Sequence, residues 1–143
     1  MLKEKIIDGV LGAAESISTD RSRCLKMRFN RHACSQCTTQ CRTEAIQIEE
    51  DVRIQAHNCT ECMLCVSECP AGCFKTQGHD FYWLIDRLRN IQASVQLPVL
   101  GCTARTDAAC HSKAFCFGFL SEEHIIALSV FLEEGLQVNV TGC

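Results

Sequence analysis

Cysteine spacing constrains this chain more than any other feature. Thirteen cysteines stand among 143 residues, at 24, 34, 37, 41, 59, 62, 65, 69, 73, 102, 110, 116 and 143. Cys34, Cys37 and Cys41 recur 28 positions later as Cys62, Cys65 and Cys69, and Ala45-Ile46 is answered by Cys73-Phe74. Two copies of one small unit therefore lie in tandem. The copies differ at one telling position: Cys59 opens the second, whereas Arg31 holds the matching place in the first, and the nearest upstream cysteine is Cys24. Cysteine at this density serves a disulfide framework or metal chemistry. The N-terminal stretch MLKEKIIDGVLGAAESI lacks the uncharged apolar core and cleavage site of a signal peptide. The expectation is a cytoplasmic, reducing location, where disulfides are rare and metal is the first hypothesis.

The rest of the composition narrows the class. With 47% apolar and 22% charged residues the chain reads as globular rather than disordered. No run of 18 apolar residues exists, so no membrane span is expected. A formal net charge of −3 gives no global pull toward nucleic acid or anionic lipid.

Four blocks follow along the chain. Residues 1–20 hold an amphipathic helix over 3–17, with Ile6, Ile7, Val10, Leu11 and Ala14 at helical spacing. Residues 21–78 are the cysteine module, in which Ala45–Ile48 and Val52–Gln55 alternate around Glu49-Glu50-Asp51 as a short hairpin. Residues 79–97 carry a linker helix over 80–91, with Phe81, Leu84, Ile85, Leu88 and Ile91 on one face, Asp80 as N-cap, and Trp83 packing beside Phe81. Residues 98–143 place strands at Pro98–Cys102, Ala114–Phe117 and Leu136–Val140, and a helix from Ser121 to Glu134 with Gly135 just past its end. That order suggests a small parallel α/β unit. A unit of this size buries too little surface to stand alone, so it should pack on the linker helix, on the module or across a homodimer.

Cys59-x2-Cys62-x2-Cys65-x3-Cys69-Pro70 has the spacing of the bacterial ferredoxin run. Three cysteines two residues apart wrap a tight turn, so their sulfurs converge. The fourth sits after a bend and points elsewhere. Soft, anionic thiolates suit iron–sulfur clusters and zinc rather than magnesium or calcium. The competing reading is a zinc ribbon built on Cys34, Cys37, Cys59 and Cys62, which would leave Cys41, Cys65 and Cys69 unexplained. Cys73 reads as a small buried apolar side chain.

Residues 24–76 resemble the bacterial-type ferredoxin family that binds two [4Fe-4S] clusters. Cys69-Pro70-Ala71-Gly72-Cys73-Phe74 is similar to the ending of that family's motif, and Cys41-Arg42-Thr43-Glu44-Ala45-Ile46 is similar with Arg42 in place of proline. The resemblance implies an α+β fold: a dicluster module fused to the small three-stranded parallel unit. It implies one cluster on Cys59, Cys62, Cys65 and Cys41, and another on Cys34, Cys37 and Cys69. Cys24 is the candidate fourth ligand, with nine residues between it and Cys34, a loop whose closure entropy is tolerable. The alternatives are a three-cysteine [3Fe-4S] site or a cube completed by His32.

Arg21, Arg23, Lys26, Arg28, Arg31 and Arg42 fall in a stretch without acids and offset cluster charge or dock an acidic redox partner. With Phe29 its only aromatic, the stretch is a poor nucleic-acid surface. Residues 98–143 resemble the iron–sulfur delta-subunit family of methyl-viologen-reducing hydrogenases through Phe115-Cys116-Phe117-Gly118, Glu134-Gly135 and Val138–Cys143. That resemblance implies a third site on Cys102, Cys110, Cys116 and Cys143, although Arg105 stands where the family has a cysteine. A redox-active thiol is the other reading of these residues. The function expected is single-electron transfer to a redox partner, with a redox or thiol sensor as rival. No residue reads as a catalytic base or substrate nucleophile.

Overall fold

The sequence repeat is also a repeat of backbone. The computed structural model describes residues 16–29, 31–78, 80–103 and 109–141. They fall in two units, Met1–Gly78 and His79–Cys143. In the first unit the elements are β1 (Ile17–Thr19), a 3-10 turn (Arg21–Arg23), α1 (Leu25–Arg28), α2 (Gln36–Gln40), β2 (Ile46–Ile48), β3 (Val52–Ile54), α3 (Leu64–Glu68) and β4 (Phe74–Thr76). Adding 28 to the bounds of α2 and β2 gives those of α3 and β4.

Five-residue helices such as α2 and α3 are too short to persist alone. They pack on each other and each is closed by a cysteine in extended conformation, Cys41 (φ −78°, ψ 97°) and Cys69 (φ −77°, ψ 107°). Each cysteine carbonyl then accepts a backbone N–H three residues on, from Glu44 and from Gly72, both at 3.1 Å. Both acceptor turns need a left-handed residue, and Gly72 (φ +61°) and Glu44 (φ +53°) supply it. The expected hairpin forms as β2–β3, with Ile46 opposite Ile54 and Ile48 opposite Val52. Ile46, Val52 and Ile54 are buried with Ala45, Met63 and Phe74, and each large apolar side chain so buried contributes roughly 1.5–3 kcal/mol.

β4 pairs antiparallel with β1, Ile17 opposite Thr76 and Thr19 opposite Phe74. This corrects the expected helix over 3–17 at its end: residues 1–15 lie outside the described residues, but Ile17 belongs to a strand. Ile17-Ser18-Thr19 carries two β-branched residues, and β4 offers it an unpaired edge.

The second unit holds α4 (Phe81–Gln92), β5 (Val99–Cys102), β6 (Ser112–Ala114), α5 (Glu122–Phe131) and β7 (Gln137–Val138). The three strands form a parallel sheet of order β6-β5-β7. Asp80 caps α4 as expected, its carboxylate accepting from Trp83 N–H at 2.8 Å. Leu84, Ile85 and Leu88 face inward, and α4 packs on β6 and α5, so the linker helix supplies part of the core that the sheet lacks. Two boundaries differ from expectation. The second strand runs over 112–114 rather than 114–117, because Ala114 already pairs with Cys102, the last residue of β5, and nothing remains beyond it to pair with. α5 stops at Phe131 rather than Glu134, since Leu132 turns extended (φ −109°, ψ 96°) and Gly135 (φ +86°) returns its N–H to the Leu132 carbonyl. No described helix is long and apolar enough to cross a membrane.

Candidate metal centres

The first unit draws its cysteines into two groups. Cys24, Cys34, Cys37 and Cys69 line one small cavity, walled also by Ile48 and Phe74. They arrive from three pieces of chain. Cys24 follows the 3-10 turn, which Asp20 fixes by accepting from Ser22 N–H (3.1 Å) and Ser22 Oγ (2.6 Å). Cys34 precedes α2, Cys37 sits in it, and Cys69 closes α3. Cys24 and Cys37 are buried, while Cys34 and Cys69 are partly exposed. Cys59 and Cys65 lie within electrostatic reach of Cys62 and Cys41, and Cys65 also within reach of Cys37; Cys59, Cys62 and Cys65 with Cys41 are the candidate second group. The fourth cysteine of each run thus joins the group begun by the other run. Cys59 is held by its N–H to the Gln55 and Ala56 carbonyls, and Met63, left-handed at φ +63° and 1% exposed, turns the chain between Cys62 and Cys65.

The sulfurs that close the two helices accept hydrogen bonds from matched donors. Ala45 N–H points at Cys41 Sγ at 3.3 Å, and Cys73 N–H points at Cys69 Sγ at 3.2 Å. Such donors stabilise thiolate over thiol. At Cys41 burial pushes the thiol up, but the Ala45 N–H, the Thr43 hydroxyl and the N–H groups of Thr43 and Ile46 outweigh it, so the net shift is downward. At Cys37, Cys59 and Cys65 burial wins, reinforced by neighbouring sulfurs. Cys37 is pushed up to about 11 and Cys65 to about 12 by desolvation, then by Cys69 and Cys62 respectively. Desolvation also raises Cys59. Burial thus favours the neutral thiol at Cys37, Cys59 and Cys65 in the metal-free chain, and a bound cation would deprotonate them.

Among the described residues no three His, Cys, Asp or Glu side chains close on one point as the ligands of a single metal ion do. A polynuclear cluster makes a different demand, since its thiolates surround a volume and each binds its own iron. The donor set around the first cavity, five soft sulfurs among largely apolar walls, fits that demand. The zinc-ribbon reading is disfavoured by placement, because Cys34 and Cys37 line a cavity that neither Cys59 nor Cys62 reaches. His32 is exposed, accepts the Cys34 N–H at 3.1 Å and does not line the cavity, whereas Cys24 does.

Two features escaped the sequence. Cys73 is 1% exposed as expected, but it lines the same cavity as Cys24. Its repeat position beside Cys69 was the available signal. The tie between the β1 segment and the site was also missed: Asp20 N–H donates to the Cys73 carbonyl at 2.7 Å. The basic stretch is exposed at Arg21, Arg23, Lys26 and Arg28. Arg21 and Arg28 line an open cleft with Thr19, Asp20, Ser22 and Met27.

The C-terminal cysteines are only partly gathered. Cys102 ends β5 and Cys116 lies two residues past β6, so both sit at the carboxyl edge of the parallel sheet. Cys110 lies two residues before β6, at the opposite edge, on the order of 10 Å of strand away. Cys110 is thus set apart along the sheet from Cys102 and Cys116, its partners in the expected third site. Cys143 and Arg105 lie outside the described residues. Comparisons with protein-family models, with curated proteins and with solved structures find no match for this chain.

Proposed function

We propose that this chain is an electron-transfer protein with two [4Fe-4S] clusters, one held by Cys24, Cys34, Cys37 and Cys69 and the other by Cys41, Cys59, Cys62 and Cys65, within a bacterial ferredoxin-like module. One observation carries the reading: each repeat sends its last cysteine into the other repeat's group, and each of those sulfurs accepts a matched backbone N–H. When bound, such clusters supply reversible one-electron chemistry.

The residues of this chain do the rest. The thiolates hold iron. The Ala45 and Cys73 N–H groups withdraw charge from sulfur, which favours the reduced state. Ile48 and Phe74, which wall the first cavity, would keep water from that site. Two sites built on helices in contact place donor and acceptor close together, so an electron taken at one can leave from the other. The exposed arginines of residues 21–28 give an acidic redox partner a place to dock. The chain acts as a carrier or subunit of a larger oxidoreductase system, in the cytoplasm.

The test is iron, acid-labile sulfide and zinc per chain on protein purified without oxygen, followed by reductive titration. About eight irons with equal sulfide and two reversible one-electron steps are expected. About seven irons would make the first site [3Fe-4S] and remove Cys24 from it. Zinc without sulfide would overturn the reading.

A further inference from the structure

The first cavity holds one sulfur more than a four-iron cluster needs. Cys73 lines it together with Cys24, Cys34, Cys37 and Cys69, and its thiol is within electrostatic reach of Cys24, Cys37 and Cys69. Its backbone is clamped from both sides, the N–H donating to Cys69 Sγ at 3.2 Å and the carbonyl accepting from Asp20 N–H at 2.7 Å. The clamp fixes Cys73 against both the helix that delivers Cys69 and the turn that delivers Cys24. The second group has no such residue. The repeat partner of Cys73 is Ala45, equally buried at 1% exposed. The fifth sulfur therefore sits only where the repeat lost its own first cysteine to Arg31 and recruited Cys24 over a longer loop.

We propose that Cys73 is an exchangeable ligand of the first site, taking the iron that Cys24 holds when Cys24 is absent. The inference rests on the two-cluster reading. The step is a ligand exchange without electron transfer. When Cys24 is present the Cys73 Sγ–Fe bond would form as the Cys24 Sγ–Fe bond breaks, the Cys73 proton passing to the departing Cys24 thiolate; when residue 24 carries no sulfur, Cys73 would displace a hydroxide from that iron, its proton leaving with the hydroxide as water. The first site then tolerates loss of its fourth ligand and the second does not.

The experiment compares Cys24→Ala, Cys59→Ala, Cys73→Ala and Cys24→Ala/Cys73→Ala with the wild type, each purified without oxygen. The readouts are iron and sulfide per chain and the electron paramagnetic resonance signal of the oxidised protein. Cys73→Ala should keep about eight irons, Cys24→Ala about eight, the double variant about seven and Cys59→Ala about seven, the last two with a three-iron signal. Seven irons in Cys24→Ala alone, with eight in the wild type, would overturn the fifth ligand and leave the two-cluster reading intact. A wild type without iron and sulfide would overturn both. Should Cys24→Ala fail to fold by circular dichroism, the transplant decides: Ala45→Cys should restore about eight irons to Cys59→Ala, and a persistent three-iron signal would refute the proposal.

Discussion

Replacing Glu44 by glycine should stabilise the protein, and the chain contains its own control. Glu44 has φ +53°, and the repeat-matched position is Gly72 at φ +61°. Both residues close the turn after a cysteine by donating to its carbonyl at 3.1 Å. A side chain held in this region costs about 1–2 kcal/mol. Glycine removes that cost but adds about 0.4–1 kcal/mol of unfolded-state freedom. Glu44 is exposed, and among the described residues no hydrogen bond to its carboxylate offsets the strain. The net for Glu44→Gly is a gain of about 0.5–1 kcal/mol, or an upward Tm shift of about 2–6 °C for a domain of this size. The converse, Gly72→Ala, carries the strain and sets a new Cβ 3.3 Å from an Arg23 guanidinium nitrogen, a flexible neighbour that can move aside. It should lose about 1 kcal/mol. Thermal melts of both variants beside the wild type, followed by circular dichroism without oxygen, give the answer. A Glu44→Gly protein that melts below the wild type would refute the argument from matched turns.

Phe74 is 2% exposed and walls the first cavity, so Phe74→Ala should cost about 3–5 kcal/mol. An unchanged denaturant midpoint would show that this wall does not support the module. The raised thiols set a pH window for the metal-free chain. Cys37 near 11 and Cys65 near 12, both up from 9.0, favour protonated sulfur in the fold. Their contribution is complete below the unfolded value and lost as pH climbs through the folded values. Urea midpoints of the metal-free protein should fall between about pH 8 and about pH 10.5, and a rising midpoint would contradict the sign. Iron uptake must displace the same protons, so apparent iron affinity should rise with pH over that interval. In the second unit His124 closes a capping box with Ser121, and its ring centroid lies 4.2 Å from that of Phe81. His124→Ala should lower the stability of that unit by about 1–2 kcal/mol, with iron content unchanged.

The local order of the chain was legible where one residue type repeats at a fixed step. The 28-residue spacing of cysteines foretold two copies of one unit, and the structure gives each copy a helix and a strand at matched positions, because a sequence repeat imposes the same turns and caps twice. Alternation at Ile46–Ile48 and Val52–Ile54 foretold the hairpin, and Asp80 foretold the start of α4. The short strands were harder. Whether Ser112–Ala114 or Ala114–Phe117 is extended depends on where β5 ends, a fact about another segment. The pairing of Ile17–Thr19 with Phe74–Thr76 joins residues more than fifty positions apart, and no local signal carries that.

The candidate site divides in the same way. Sequence alone determined which cysteines belong to the two runs, because ligand spacing within a turn is a local property. It favoured Cys24 over His32 for the missing position and read Cys73 as an ordinary core residue, but it could not place them. Tertiary structure sets Cys24 and Cys73 on one cavity and leaves His32 off it. The β1–β4 pair and the Asp20–Cys73 hydrogen bond carry residue 24 to the cavity, while His32 turns to the Cys34 N–H. The physical reason is range: spacing fixes which sulfurs can share one turn, whereas only the folded chain fixes which distant turns face the same cavity.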